Sequence, residues 1–291
     1  MKYRLRHVTA YRYSDPVDLA THMLHLAPRR RPGQEVLRSA ITTTPDPARR
    51  SEGLDHFGNR VTWLFLHALH QDFSVTSEAD VAVAFAAPPA DDETLPWEEV
   101  AGLAAAAGPG AWEAAEFLFD SPHAPADATA RTWIGPSFPP GRPILAALRD
   151  VLARFRADFA FRPGVTGIAT PVAKVVAARA GVCQDFSHVM IAGMRALGLP
   201  ARYASGYIRT RPPPGAARRR GVDQSHAWVE CWLGPTQGWL GLDPTNDLVV
   251  QEEHVLIALG RDYADVSPVR GVILGGGAHT LTVSVDLEPI A

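Results

Sequence analysis

The apolar pattern of this chain changes period once along its length, and that change restricts the fold more than any single motif does. From Met1 to about Ala87, apolar and polar residues alternate in short runs: YRLRHVTAYRY, THMLHLAP, EVLRSAITTTP, NRVTWLFLHA and DFSVTSEADVAVA, divided by Pro, Gly, Asp and Asn. Period two places alternate side chains on opposite faces of a strand, so five short strands and an antiparallel sandwich or half-barrel are predicted. Within them His56-Phe57-Gly58-Asn59 reads as a structural hairpin turn, because Gly and Asn accept left-handed backbone angles. Beyond Pro143 the period lengthens. In PILAALRDVLARFRADF, residues Ile144, Leu145, Leu148, Val151, Leu152 and Phe155 recur at steps of three and four, which predicts a helix with one buried face.

A second helix is predicted from GVCQDFSHVMIAGMRALG, with Phe186, Val189, Met190, Met194 and Leu197 on one face and Gly198 and Pro200 at its end. The strands ARYASGYI, SHAWVECWL and GWLGLDPTN follow, the last two joined at GPTQG, and HTLTVSVDLEP forms a final strand. Helices followed by antiparallel strands define an α+β class. The stretch between the two patterns is rich in Ala, Pro, Asp and Glu and reads as a connector with short helices. The predicted organisation is therefore a β-rich domain over 1–87, a connector over 88–135 and a second domain over 136–291, whose last strand is free to return to either. At 291 residues, both domains can bury a core without staples.

Composition removes several classes. Lys plus Arg total 28 against 31 Asp plus Glu, a net charge of -3, so no nucleic-acid or anionic-membrane partner is indicated. The basic loop Arg209–Arg220 holds five arginines among prolines without interleaved aromatics, unlike a single-stranded nucleic-acid surface. It reads as a solvated loop, with a lid or an acidic-substrate contact as the functional alternative. The start MKYRLRHVTAYRYS has no continuous apolar stretch, and VAVAFAAPPA is about half a membrane span. A cytoplasmic protein with reduced thiols is expected. Two cysteines, Cys183 and Cys231, exclude a multi-disulfide scaffold and a four-cysteine zinc site.

Those cysteines lie in different settings. Cys183 falls at a predicted helix N-terminus, where unpaired backbone N–H groups favour a thiolate. His226, early in SHAWVECW, can be aimed from the strand toward the helix end as a base. Asp243, closing the adjacent strand, can hold the second ring nitrogen. Alternation puts residues 226, 228, 230 and 232 on one face and Cys231 on the other, toward the core, which also argues against a zinc site built from Cys183, His188, His226 and Cys231. His188 is turned about 140 degrees from Cys183 around an ideal helix and reads as packed. Asp185 reads as a cap in the first helical turn, and Gln184 as a possible oxyanion or support residue. Trp228 and Trp239, with Trp232, either wall a substrate groove or pack between strands.

The segments AGVCQDFSHVMIAGMRALGLPARYASGYI, DQSHAWVECWL, GWLGLDPTND and GRDYADVSPVRG together resemble the bacterial transglutaminase-like proteins, a branch of the papain-like thiol superfamily. YRLRHVTAYRYSDPV and LDHFGNRVTWL are similar to the β-rich domain that precedes such a core. The resemblance implies Cys183 as nucleophile, His226 as general base and acid, and Asp243 as the residue orienting the histidine. It also implies acyl transfer on a peptide or protein substrate through a thioester, with no cofactor and no essential metal. Papain-like enzymes usually take their oxyanion glutamine from before the cysteine, a position that Gln184 does not match. Hydrolysis is favoured, since the triad alone contains no device that excludes water. The alternatives are a protein-glutamine transamidase and an inactive binding or assembly module that keeps the fold.

Overall fold

The computed structural model describes residues 1–210 and 224–290. It has the expected α+β architecture: an antiparallel β-rich half-barrel, and a second body of helices packed on a smaller sheet. The amino-terminal strands are β1 (Lys2–Leu24), β2 (Gln34–Thr44), β3 (Arg49–Leu54), β4 (Arg60–Leu66) and β5 (His70–Val83). Short helices α1 (Trp97–Ala106), α2 (Trp112–Ala115) and α3 (Ala128–Ile134) occupy the connector. They lead to α4 (Ile144–Asp158), the two-residue β6 (Ala160–Phe161), α5 (Val172–Ala178), the two-residue β7 (Ala180–Gly181) and α6 (Cys183–Ala196). Strands β8 (Ala201–Ile208), β9 (Gln224–Trp232), β10 (Trp239–Asp243), β11 (Leu248–Val249) and β12 (His254–Gly260) make the second sheet. The chain ends with α7 (Tyr263–Val266), β13 (Val269–Gly275) and β14 (His279–Ile290).

Two of the predicted strands are one. YRLRHVTAYRY and THMLHLAP fuse into the 23-residue β1, because Ser14-Asp15-Pro16 is absorbed as an irregularity in the ladder and not as a turn. The five-strand path β2-β5-β1-β4-β3 gains β13 and β14, both paired with β1, so the carboxyl-terminal strands rejoin the amino-terminal sheet. Strand β3, with the sequence RRSEGL, is exposed throughout and has no apolar row that a pattern search would detect.

The predicted helices hold. Pro143 immediately precedes α4, whose Ile144, Leu145, Leu148, Val151, Leu152 and Phe155 are all buried. Phe186, Val189, Met190 and Met194 of α6 are buried, and Gly198 follows at φ +76, a conformation that glycine adopts without a Cβ clash. Helix α6 packs on β8 and β9. One apolar core runs from these helices through Ala227, Val229 and Cys231 of β9 to Tyr3, Leu5, Val81 and Val83 of the β-rich sheet.

The second sheet has the order β11-β10-β9-β8-β12, which leaves β12 at an edge. Side-chain amides from the β-rich domain close that edge. Gln34 donates to the carbonyl of Leu256 and accepts from its N–H, both at 2.7 Å. Asn59 does the same with Leu259 at 2.7 and 2.8 Å. The turn at His56–Asn59 therefore has the structural role expected of it, and it also joins the two sheets. A buried ionic cluster makes a further join: Glu230 of β9 binds Arg202 of β8 at 2.6 Å and Arg31 from the β-rich side.

Candidate active site

Cys183 is the first residue of α6, and its side chain is half-buried. Below it, Asp185 is buried and its Oδ2 accepts from the backbone N–H of Val182 at 2.8 Å and from the Thr166 hydroxyl at 2.7 Å. That carboxylate shapes the helix start. No Cβ fits at Gly181, where it would come within 2.7 Å of Asp185 Oδ2. Gln184 is half-buried beside it.

His226 lies near the start of β9, opposite Gly206 of β8, and is 8% exposed. Its Nε2 donates to Oδ2 of Asp243 at 2.7 Å. Burial pushes the imidazole pKa down, but the hydrogen bond to Asp243 and the neighbouring Asp243 and Cys183 side chains outweigh it and raise it to about 10. Asp243 is completely buried. Burial alone would raise its pKa; the His226 and His254 hydrogen bonds override that and hold it well below the usual carboxylate range. The structure thus joins His226 and Asp243 directly, and places Cys183 at the start of α6.

Two neighbours were not anticipated. His254, the first residue of β12, donates from Nε2 to the same Asp243 oxygen at 3.1 Å. Asn246 Nδ2 donates to it at 2.7 Å, while the N–H groups of Thr245 and Asn246 reach Oδ1 at 3.0 and 3.2 Å. The PTN segment after Asp243 carried a usable signal for Asn246, since a turn after a strand-end Asp returns side chains to it. Nothing in QEEHVLIALG marks His254. His226, Asp243 and His254 have the donor types of a three-ligand metal site, all within 4.8 Å, but both Nε2 atoms and Asn246 Nδ2 converge on Oδ2 as hydrogen-bond donors.

The remaining candidates have surroundings of their own. Cys231 is completely buried on the other face of β9, and burial pushes its thiol pKa well up. His188 is buried, accepts from the Tyr263 N–H at 3.3 Å and stacks on His123; burial lowers its pKa to about 3. Trp228 is 1% exposed, 6.2 Å ring to ring from His226 and edge-on to His254 at 5.2 Å. It and Trp239 line a crevice of about 490 Å³ together with Phe85, Arg31 and Glu230. Arg202 stacks over Trp239 at 4.0 Å. Trp232 is buried in the main core. From Arg211 onward the basic loop Arg209–Arg220 lies outside the described residues.

Residues 3–82 match the bacterial transglutaminase-like N-terminal region and residues 140–244 match the transglutaminase-like superfamily. An uncharacterised protein of Mycobacterium tuberculosis is 41% identical over 99% of this chain and 93% of its own length. A protein-glutamine gamma-glutamyltransferase of Pseudomonas aeruginosa is 33% identical over 43% of this chain and 20% of its own. A Cytophaga hutchinsonii structure, proposed to be a cysteine protease, covers 99% of this chain and 90% of its own at 23% identity with a TM-score of 0.74, and shows the same fold. The cytoplasmic expectation is corrected at this point: matched structures include the periplasmic domain of TgpA from Pseudomonas aeruginosa, at 17% identity over 82% of this chain and 87% of its own, TM-score 0.36. The first residues of the sequence are in any case no ground for assigning a compartment. No helix among the described residues is long and apolar enough to cross a membrane.

Proposed function

This chain belongs to the bacterial transglutaminase-like family, and from that premise we propose that it is a thiol-dependent acyltransferase acting on a peptide-like amide, with Cys183 as nucleophile. The observation that carries the reading is the 2.7 Å hydrogen bond from His226 to the buried Asp243, together with the position of Cys183 at the N-terminus of α6. With Nε2 of His226 engaged by Asp243, Nδ1 is the nitrogen left for the thiol. The thiol proton passes to His226, and Cys183 Sγ attacks the amide carbonyl. The Cys183 N–H supplies one donor for the developing oxyanion. His226 then protonates the leaving amine, and a thioester remains.

The comparisons support a primary amine over water as the acceptor, which would make the reaction protein-glutamine transamidation. The family descriptions and the Pseudomonas aeruginosa gamma-glutamyltransferase point that way, against the preference for hydrolysis drawn from the triad alone. Hydrolysis is kept as the second reading on one observation, the half-buried sulfur, which leaves a thioester open to water. The test uses a glutamine-containing peptide with and without a fluorescent primary amine. Amine incorporation that disappears in Cys183→Ala supports transamidation. Glutamate formation unaffected by amine supports hydrolysis, and neither product from folded protein would sink both readings.

A further inference from the structure

Alternation gives β1, β4 and β13 an inner row packed toward the core and an outer row facing away from it, and β3 extends the sheet beside β4. The inner row includes Ala20, Leu24, Leu64 and Leu66, with Ile273 packed against them. On the outer row, register sets Trp63 opposite Met23 and Met23 opposite Arg270. One pleat along, Phe65 faces Thr21 and Thr21 faces Val272; Leu19 then faces Leu274. A solvated sheet face is ordinarily polar, yet Trp63 is 38% exposed, Leu274 62% and Val272 73%. The Trp63 ring lies against Gly53, where a Cβ would approach it to 3.1 Å. These strands bound an open cleft of about 980 Å³.

The charges on this face are of one sign. Arg49 stands opposite Phe65 on β3, and Arg270 stands at the other side on β13. Neither has an ion-pair partner among the described residues, whereas Arg50 and Arg60, on the alternate row of their strands, pair with Glu52. We propose that this cleft docks an extended acidic segment of a partner protein, its aliphatic side chains on Trp63 and Val272 and its carboxylates at Arg49 and Arg270. Three strand spacings separate β3 from β13, roughly 14 Å, and an extended chain covers a similar distance in about four residues. Charge complementarity favours this occupant. A second copy of the chain would bring the same unpaired arginines together, and a planar bilayer would not enter a cleft.

The inference is independent of the Cys183 chemistry, and its test separates the two. Full-length protein is titrated with a fluorescent Glu-Val-Leu-Val-Glu peptide and its lysine counterpart, read by anisotropy. The acidic peptide is expected to bind at least tenfold more tightly, to lose that margin in Arg49→Glu/Arg270→Glu, and to weaken in Trp63→Ala. Thiol labelling of Cys183 is expected to stay unchanged in each variant. These side chains are on the surface, so an unaltered melting temperature checks the fold. Equal binding of both peptides, or binding indifferent to the variants, overturns the proposal. So does concentration-dependent dimerisation that the arginine variant abolishes, or binding to phosphatidylserine vesicles without binding to the peptide.

Discussion

Nε2 of His254 lies 3.1 Å from Oδ2 of Asp243, the oxygen that also accepts from His226. Asp243 therefore has a fixed direction as well as a fixed charge, since donors from two strands and from the intervening turn meet on it. A carboxylate so held cannot rotate away when the His226 ring changes its proton.

His254→Leu is expected to lower kcat by about 10–100-fold, the worth of a charge-assisted hydrogen bond, with KM little changed. His254→Asn and His254→Gln, which can return an N–H donor to Oδ2, should recover part of the loss. Loss of activity equal in all three variants, with intact melting curves, would assign His254 to packing.

Cys183→Ala should remove activity by on the order of 10⁴-fold or more, and Asp243→Asn by on the order of 10³-fold. Iodoacetamide labelling followed by mass spectrometry should find Cys183 modified and Cys231 untouched in native protein, because Cys231 is completely buried. Labelling of Cys183 that does not slow in His226→Ala would break the link between the two side chains.

The imidazole pKa of His226 is raised from its ordinary 6.5 to about 10, so its stabilising contribution is complete below pH 6.5 and lost as pH rises through about 10. Urea midpoints of the wild type should fall across that alkaline window, and His226→Gln should flatten the decline. An unchanged slope would separate this ring from the alkaline transition.

On the acid side three other histidines act in the opposite sense. Burial lowers His7 and His22 to about 4 and His188 to about 3, so protonation favours the unfolded chain as pH falls below 6.5. His22 is the sharpest case: both ring nitrogens are buried without a hydrogen-bond partner among the described residues, and the ring stacks on Phe73 at 4.4 Å. His22→Phe should make the melting temperature less sensitive between pH 6.5 and 4, which thermal scans across that range would measure.

Asn59→Ala and Gln34→Ala should each cost about 1–3 kcal/mol, because each leaves a buried backbone N–H and carbonyl of β12 unsatisfied. Equilibrium urea unfolding gives the number. A change within error for both would mean that water replaces the amides.

Much of this was legible in the residues, and the exceptions have physical reasons. Cys183, His226 and Asp243 stand at or near the ends of regular elements whose periodicity is strong, so the place of each along its helix or strand, and the His226–Asp243 pairing, could be anticipated from strand and helix boundaries. Cys231 followed from alternation alone. His254 did not, because an isolated histidine before VLIALG has the same appearance whether it meets a carboxylate or solvent. Strand β3 escaped because an edge strand exposed on both faces needs no apolar row. The fusion across Ser14-Asp15-Pro16 escaped because turn-forming residues can also sit in a ladder irregularity.

The closure of β12 by Gln34 and Asn59 bears on how far the chemistry can be separated from its surroundings. The superfamily match ends at residue 244, before His254, and the strand bearing that histidine is fastened from outside by the other domain. A fragment excised at that boundary would keep Cys183, His226 and Asp243 and lose His254. A longer one, kept to Gly260 but stripped of residues 1–87, would present an uncovered strand edge open to pairing with other chains. The candidate site is thus not portable: in this molecule the β-rich domain holds the strand from which His254 reaches Asp243.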